Sequence, residues 1–350
     1  MVDIPSTKVS IVILTYNGKH HLERYLDGVI RHVPPYGKVV VVDNGSTDGT
    51  VEYIENTHPG IELIGLDANY GFAGGYNKAM ESITTEYSIL LNSDVEIDED
   101  WVTPIIAYLD EHPNVAACQP KVMSLKDKGA FEHAGAAGGW IDILGYPFCM
   151  GRIIDSIELD LGQYDAPTEI FWASGAAMVI RTKLFKKAGG FDEIFFAHME
   201  EIDLCYRLKR MGYGIHSFPA TRVYHLGGGT LPYESTGKVY LNFRNNLFLL
   251  LKNKPVYVLI WLLPVRMILD GVAAIHFLSE GKRGHFRAVF KAHISFYKHF
   301  LVMIKKRKIE KATGQKANLK GIYKGSIVWQ YYINGRRQFQ TIVTSGRIRL

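Results

Sequence analysis

Residues 9–18 read VSIVILTYNG and residues 39–50 read VVVVDNGSTDGT, and these two stretches decide the fold class. In each of them a run of apolar, largely β-branched residues ends in a polar turn. Such a run is typical of a strand that is buried on both faces, as in a parallel sheet. Residues 19–31 lie between the two runs and carry apolar side chains at helical spacing. The pattern therefore predicts a strand, a helix and a second strand.

The same alternation continues to about residue 100. The elements predicted next are a helix at 51–56, a strand at 61–66, a helix at 71–82 and a strand at 87–91. Because strands and helices alternate with short connections, we expect an α/β fold with a doubly wound, mostly parallel sheet.

Polar clusters follow three of these predicted strands, at Thr15–Asn17, Asp43–Asp48 and Asn92–Asp94. Ligands of doubly wound sheets bind beyond the carboxyl ends of the strands, so we expect the clusters to meet at one site. The Asp43 carboxylate could accept hydrogen bonds from a nucleotide base or a ribose hydroxyl. Ser46 could do the same, or it could cap the helix that follows.

Asp94 ends an apolar strand, where a carboxylate is a natural ligand for Mg²⁺ or Mn²⁺. A departing diphosphate needs such a cation, although an aspartate in this position also suits a simple turn. The glycine-rich turn at 69–77, NYGFAGGYN, would let the backbone approach an anionic ligand at a helix N-terminus. It lacks the fingerprints of the dinucleotide fold and of the P-loop.

Three acids, Glu200, Glu201 and Asp203, open a predicted helix. They suit the helix dipole, or one of them is a general base. Glu200 and Asp203 share a face, and Glu201 points about 100° away from Glu200. We therefore expect Glu201 to face the substrate and the other two to make structural contacts. His225 precedes the triple glycine at 227–229. The glycines indicate a mobile loop near a ligand, in which case His225 could take part in the site, or His225 has no functional role.

The net charge of +5 is divided unevenly. Residues 1–280 carry 23 Lys and Arg against 34 Asp and Glu, whereas residues 281–350 carry 17 against one. The basic segment indicates a surface for anionic lipid or nucleic acid, or a solvated face. Three widely spaced cysteines form no disulfide framework, and the first residues show no signal-peptide pattern. We therefore expect a cytosolic location.

Residues 255–278 are apolar over a length that could span a bilayer, but Arg266 and Asp270 lie among them. We expect paired buried or interfacial helices, with a spanning helix as the alternative. A helical stripe follows, flanked by Lys and Arg, and consists of Phe286, Phe290, Ile294, Tyr297, Leu301 and Ile304. It predicts a membrane-surface helix or one packed on the body with a wet basic face. Residues 325–345 predict a short strand pair joined at an Asn-Gly turn.

Taken in order, these segments resemble the family 2 glycosyltransferases, which have the GT-A fold. The matching stretches are VSIVILTYNG, VVVVDNGSTDGT, NYGFAGGYN, LLNSDVEI, WASGAAMVIR, GGFDEIFFAHMEEIDLCYRLKRMGY, VYHLGGGT and YLNFRNNLFLLLKN. The resemblance covers residues 9–253 and is closest to bacterial rhamnosyltransferase-like members that build cell-surface polysaccharide. It implies a catalytic domain at 1–253, followed by a helical, basic extension at 254–350.

The resemblance also implies roles for individual residues. Asp94 and His225 would bind the metal, and the general base would be Glu201, with Glu200 and then Asp203 as the other candidates. The residues expected around the donor are Thr15, Asn17, Asp43, Ser46, Asn69, Gly71, Asn77 and Asn92. Those expected on the acceptor side are Trp172, Ser174 and Gly175. The chain departs from the family pattern twice, with Asn for the first Asp of the DxD motif and Glu for the base aspartate.

The function implied is inverting, Mg²⁺- or Mn²⁺-dependent transfer of a sugar to a hydroxyl of a glycan or polyprenyl-linked acceptor. The donor would be a dTDP-sugar such as dTDP-rhamnose, or a UDP-sugar. Residues 281–324, with 13 Lys and Arg, would bind the anionic inner face of the cytoplasmic membrane, and no nucleic acid is expected.

Two other function classes compete with this hypothesis. A nucleotidyltransferase could share the sheet, but the glycine-rich, Arg- or Lys-bearing loop expected after its first strand is absent from TYNGKHH. A non-catalytic membrane- or nucleic-acid-binding module would explain the basic segment. It would leave Asp43, Asp94, Glu201 and His225 without a joint purpose.

Overall fold

The computed structural model describes residues 7–227, 235–310 and 318–343. Its strands are β1 (Val9–Thr15), β2 (Gly37–Asp43), β3 (Glu62–Gly65), β4 (Tyr87–Asn92), β5 (Val95–Glu96), β6 (Val115–Ser124), β7 (Gly139–Asp142), β8 (Pro147–Cys149), β9 (Arg152–Ile153), β10 (Ser156–Ile157), β11 (Thr168–Ile170), β12 (Ala177–Arg181), β13 (Gly214–His225) and β14 (Ile322–Tyr323). Its α-helices are α1 (Lys19–Arg31), α2 (Thr50–Thr57), α3 (Gly71–Ser82), α4 (Val102–Glu111), α5 (Thr182–Lys187), α6 (Glu200–Arg210), α7 (Thr236–Asn253), α8 (Val256–Ser279), α9 (Arg283–Glu310), α10 (Ile327–Tyr332) and α11 (Phe339–Val343).

The main sheet runs in the order β11-β13-β6-β12-β4-β1-β2-β3, and β5 pairs with β13. β1 pairs in parallel with β2 and β4, and β2 pairs in parallel with β3. β12 is antiparallel to both of its neighbours, β4 and β6. The predicted doubly wound, mostly parallel sheet is therefore confirmed, and its parallel half is formed by the first four strands.

The two faces of this sheet are both buried, which explains the continuous apolar runs. Val12 and Val40 pack into one core, whereas Ile13 and Val41, one residue further along each strand, pack into the core on the opposite face. Because successive side chains of a strand point to opposite faces, a strand between two cores needs apolar residues throughout.

A second sheet, in the order β10-β9-β8-β7-β14, lies in the part of the chain where the sequence predicted no regular sheet. Its strands are two to four residues long, too short to show a period. Aromatic side chains from distant segments, Trp140, Phe148 and Phe339, pack against each other beside it. The three cysteines of the chain are buried and free.

The strand pair predicted at 325–345 is wrong, because this segment forms α10 and α11, and residues 344–345 lie outside the described residues. The Ser326 side chain accepts a hydrogen bond from the backbone N–H of Trp329 and so caps α10. Gly335 has a φ of +66° and links two helices instead of two strands.

The helices predicted at 255–278 and along the stripe from Phe286 to Ile304 are confirmed as α8 and α9. α9 packs along both α7 and α8. The buried Arg266 of α8 donates hydrogen bonds to Leu144 O (2.8 Å) and to Asn246 Oδ1 (2.7 Å). The charge that argued against a spanning helix therefore ties α8 to the rest of the protein.

Candidate active site

A cavity of about 330 Å³ opens at the carboxyl ends of β1 and β4. Its walls come from the polar strand ends, the start of α3, the start of α6 and the end of β13. The predicted site residues that line it are Thr15, Asn69, Gly71, Asn92, Asp94, Ser174, Gly175, Glu200, Glu201 and His225. Ten of the sixteen predicted site residues therefore lie around one cavity.

Asp43 and Ser46 lie together beside this cavity but not in its lining. Asp43 Oδ2 accepts a hydrogen bond from the N–H of Ser46 (3.0 Å), and the Asn17 N–H donates to Ser46 Oγ (2.8 Å). Asp43 Oδ1 and Thr15 Oγ1 are buried without a hydrogen-bond partner among the described residues. Buried polar atoms are nearly always paired, so these two indicate where a polar ligand is accepted.

Asn44 holds the glycine-rich turn against this loop. Its amide donates to Asn69 Oδ1 (3.1 Å) and to Gly71 O (3.0 Å). Gly71 has a φ of +70°, and a Cβ there would lie 2.6 Å from Phe196 O. Glycine is therefore required for this close approach of α3 to the loop before α6. The sequence analysis did not select Asn44 as a site residue, although it stands in the polar cluster after β2.

Asp94, His225 and Glu132 form a buried row at the floor of the cavity. His225 Nε2 lies 3.1 Å from Asp94 Oδ1, and His225 Nδ1 lies 3.3 Å from Glu132 Oε2. Burial opposes protonation of the imidazole, but the Asp94 and Glu132 carboxylates outweigh it and raise the pKa of His225 to about 10. The pKa of Asp94 is lowered, because His225 overcomes the opposing effect of burial.

The Asp94–His225 pair fits a divalent cation, which would bind in place of the proton that His225 Nε2 shares with Asp94. Two ligands at about 2.1 Å from one ion and at right angles are roughly 3.0 Å apart, close to the distance between these two atoms. Glu132 stands on the far ring nitrogen, where carboxylates orient metal-binding histidines. Within the described residues no group of three His, Cys, Asp or Glu side chains converges on one point. Further ligands would come from the Asn92 amide, water or a substrate phosphate.

Glu200 and Glu201 face the same cavity from the start of α6. One carboxyl oxygen of each, Oε2, has no hydrogen-bond partner in the described part of the chain. Burial raises the pKa of Glu201 to about 7, and burial together with the neighbouring Glu201 charge raises that of Glu200 further. Glu200 was expected to make structural contacts on the face that it shares with Asp203, but as the first residue of the helix it lines the cavity beside Glu201.

The loop before α6 is strained. Phe196, His198 and Met199 all have φ between 63° and 74°, a region that non-glycine residues rarely adopt. Asn245 of α7 fixes this loop by donating its amide to the carbonyls of Phe195 (2.9 Å), Ala197 (2.8 Å) and His198 (2.7 Å). A loop held in this way sets the direction in which both glutamates enter the cavity.

Three predicted site residues have other contacts. Asp203 is fully buried and bonded to basic side chains of the core. The Asn77 amide donates to Phe191 O (2.9 Å) and to Glu193 Oε1 (3.0 Å), away from the cavity. Trp172 is buried, and its indole N–H donates to Trp140 O (2.9 Å). In this structure these side chains support the walls of the site and do not line it.

Besides Asn44, the sequence analysis missed Glu132, which adjoins the cavity, and Lys238, which lines it. Glu132 lies in no predicted strand, and only the fold brings it to His225, which is distant in sequence. Lys238 follows residues 228–234, which include Gly228 and Gly229 of the predicted glycine loop and lie outside the described residues. It adds a basic group to a lining that otherwise contains the acids Asp94, Glu200 and Glu201.

Residues 10–188, just over half of the chain, match the family described as Glycosyl transferase family 2. The chain therefore belongs to this family and is a glycosyltransferase. The matched residues include the strand ends at the cavity and Asp94.

Known relatives and solved structures refine this assignment. The chain is 26% identical over 231 residues to the N-acetylglucosaminyl-diphospho-decaprenol L-rhamnosyltransferase of Mycobacterium tuberculosis, covering 61% of this chain and 75% of that protein. The mannosyltransferase PcManGT of Pyrobaculum calidifontis, solved with GDP-Man and Mn²⁺, superposes with a TM-score of 0.52 at 17% identity, covering 89% of this chain and 88% of that one. GalNAc-T7, solved with UDP, GalNAc and Mn²⁺, gives a TM-score of 0.53 at 16% identity, covering 71% of this chain and 48% of that one. The fold is thus the GT-A fold, and the sequence resembles rhamnosyltransferases.

Proposed function

We propose that this glycosyltransferase transfers L-rhamnose from dTDP-rhamnose to a hydroxyl of a polyprenyl-diphosphate-linked glycan during cell-surface polysaccharide synthesis. One observation carries the reaction type. A single cavity joins the Asp94–His225 pair to the Glu200–Glu201 pair, next to the unpaired acceptor atoms of Asp43 and Thr15. The mycobacterial relative, whose name specifies rhamnose and a diphospho-decaprenol acceptor, supports the choice of sugar and acceptor. A UDP-sugar is the alternative donor.

The donor nucleotide binds at the ends of β1 and β2. The Asp43 carboxylate and the Thr15 hydroxyl accept hydrogen bonds from its base and ribose. The Asn69–Gly71 turn lets the backbone close over the diphosphate at the N-terminus of α3, where an anion is favoured. This arrangement turns the anomeric carbon towards the start of α6.

Glu201 is the general base. It accepts the proton of the acceptor hydroxyl while that oxygen bonds to the anomeric carbon, and the bond to the nucleoside diphosphate breaks on the opposite face. The configuration at this carbon is therefore inverted. Glu200 is more deeply buried and carries the proton shared by the pair, which leaves Glu201 ionised for this role.

Asp94 and His225 would hold Mg²⁺ or Mn²⁺, which would supply positive charge beside the leaving diphosphate. Glu132 orients the His225 ring through Nδ1. Lys238, which lines the cavity, adds positive charge near the same diphosphate. We further propose a catalytic domain at 1–253, an extension at 254–350, and a peripheral position on the cytoplasmic face of the membrane through the basic residues of 281–324.

The test is a transfer assay with purified protein and a synthetic GlcNAc-diphosphate lipid as acceptor. dTDP-rhamnose is compared with UDP-glucose, UDP-GlcNAc and UDP-galactose, and the anomeric configuration of the product is read by NMR. We expect transfer from dTDP-rhamnose with inversion and its loss in EDTA, with recovery on adding Mn²⁺. Transfer from a UDP-sugar alone would replace the donor assignment, and full activity in EDTA would remove the metal site.

Asp94→Ala tests the metal pair directly. Loss of the metal carboxylate should reduce kcat/KM by several orders of magnitude, on the general scale of metal catalysis. Asp98→Ala is the matched control, because Asp98 is an exposed acid four residues further along the chain. Equal activity of the two variants would contradict the role of Asp94.

A further inference from the structure

The outer face of α8 carries apolar side chains that no element of the described ranges covers. Its large exposed residues are Val256, Tyr257, Ile260, Trp261, Val265, Ile268, Val272, Ile275 and Leu278. From Val256 to Ile275 the only charged residues are Arg266 and Asp270, and both are buried. At 100° per residue the exposed positions span about half of the helix circumference, opposite the buried Leu262 and Arg266.

α9 extends this face. Five residues of the stripe predicted from the sequence are exposed, namely Phe286, Phe290, Ile294, Tyr297 and Leu301, whereas Ile304 is partly buried against the core. α9 packs inwards through a different set, namely Ala288, Val289, Ala292, Phe296 and Met303. The two helices form a hairpin, and the Tyr297 hydroxyl of α9 donates to Met267 Sδ of α8 (3.2 Å). The exposed stripe of α9 therefore borders α8, and we call the two exposed apolar sets together the platform.

Positive charge flanks the platform on one side. Arg287, Lys291, Lys298 and Lys305 are exposed on α9 and lie about 60–100° around the helix from the centre of its apolar stripe. An apolar face bordered by Lys and Arg fits an anionic lipid surface, in which apolar side chains enter the acyl boundary and cations meet the headgroups. A protein partner would not require this ordered border of one charge sign.

α8 is also long and apolar enough to cross a bilayer, with a mean hydropathy of 2.0 over its most apolar window. Its inner face, however, is tied to the body by polar contacts. Besides the two bonds of Arg266, Asp270 Oδ1 lies 3.5 Å from Arg266 Nη2, and Asp270 Oδ2 lies 3.1 Å from His293 Nε2 of α9. Crossing the bilayer would move these charges into lipid, which is costly.

We infer that the platform of α8 and α9 lies in the plane of an anionic membrane, with α8 inserted in the interface and not spanning it. This inference deepens the proposed function, on which it rests for the lipid-linked acceptor. The apolar contacts add to the charge attraction proposed for 281–324 and place α7, whose Asn245 fixes the active-site loop, close to the lipid surface.

The experiment is flotation of the full chain with vesicles of phosphatidylcholine, with and without 30% phosphatidylglycerol. The test variant combines Ile260→Gln, Ile268→Gln and Ile275→Gln, at positions 65 to 74% exposed. We expect the wild type to float with anionic vesicles and the variant to bind them at least about tenfold more weakly. The control combines Ile157→Gln, Leu159→Gln and Leu161→Gln, which are 48 to 83% exposed and lie off the platform, and it should bind like the wild type.

Two further measurements decide between occupants of the platform. If light scattering shows a wild-type dimer that the test variant converts to a monomer while vesicle binding is unchanged, the platform is an interface between copies and the inference is overturned. Quenching of Trp261 by brominated lipids, taken against Trp261→Phe, should be strongest for bromines near the headgroups. Strongest quenching at the bilayer centre would mean that α8 spans.

Transfer to a water-soluble acceptor analogue separates this inference from the proposed function. The test variant should keep the transfer activity of the wild type, because its three positions lie outside the cavity. Normal vesicle binding with no transfer from any donor would contradict the proposed function alone. Normal transfer with equal flotation of both variants would contradict the platform alone.

Discussion

The first turn of α6 carries three acids, and its core side and cavity side differ in whether these acids have basic partners. On the core side, Asp203 Oδ2 lies 2.9 Å from Arg207 Nε and 2.7 Å from Lys252 Nζ, and Asn253 donates to its other oxygen (3.0 Å). On the cavity side, Glu200 and Glu201 form no ion pair with a basic side chain in the described ranges. The same turn of helix therefore presents one acid that is paired with basic side chains and two acids that are not.

The pKa values show what this difference does. Burial opposes the charge of Asp203, but Lys252 and Arg207 outweigh it and lower the pKa of Asp203 to about 2. Nothing comparable offsets the burial of Glu201, whose pKa is raised to about 7. Asp203 is therefore ionised throughout the neutral range, whereas Glu201 can exchange a proton there. A buried acid with its cations supports structure, and a buried acid without them is available for proton transfer.

The largest effect on turnover is expected for Glu201→Gln, which removes the proton acceptor on the cavity side of α6. The amide keeps the size of the side chain but cannot accept a proton, so turnover should fall by about 10²–10⁴-fold, the usual contribution of a general base. Donor binding should remain, because the nucleotide contacts lie at β1 and β2. Turnover is measured by product formation, and donor binding by calorimetry with the nucleoside diphosphate.

The matched variant is Glu200→Gln, one residue away in the same cavity. It should keep most of the turnover if Glu201 is the base. A folded Glu200→Gln enzyme that is inactive, beside an active Glu201→Gln enzyme, would transfer the role to Glu200.

Asp203→Asn should weaken the ion cluster on the core side of α6. Removing one carboxylate from a buried ion cluster takes a partner from Arg207 and from Lys252, which keeps Asp192, and should lower the free energy of unfolding by about 3–5 kcal/mol. Denaturant unfolding measures this, with the exposed Asp98→Asn as control, where a change within about 0.5 kcal/mol is expected. Turnover per folded molecule should stay within a few fold. A stable but inactive Asp203→Asn protein would make Asp203 part of the catalytic machinery.

The parallel half of the fold was predictable because its signals are local. Strand β1 and helices α1 and α3 begin and end at the predicted residues, since each apolar run stops at a polar turn. Asp94 and Thr15 could be placed at one site by the same reasoning, because parallel strands share an edge.

The rest required contacts that no local pattern carries. Glu132 reaches His225 only through the pairing of β6 with β13, whose register shifts within the strand pair. Helical spacing separated Glu201 from Asp203 correctly, but it misplaced Glu200, because the left-handed Met199 before it turns the start of α6 towards the cavity. In sequence, the Asn-Gly turn after α10 is as compatible with a hairpin of two strands as with a link between two helices. Packing in the folded chain favours the helices.

The smallest expected effect lies in the pH dependence of turnover, which compares the ionisation of Glu201 with that of Asp203. Because the base must be ionised, kcat should fall about tenfold per pH unit below the pKa of Glu201, near pH 7. Asp203 contributes nothing to this limb, since its pKa lies far lower.

Glu200 holds the shared proton and donates to Glu201, which stabilises the Glu201 carboxylate. Glu200→Gln keeps a donor there and should leave the limb in place, whereas Glu200→Leu should move it to higher pH. A limb that moves to lower pH in Glu200→Leu would show that the two carboxyls repel each other as a charged pair and that the proton is not held on Glu200.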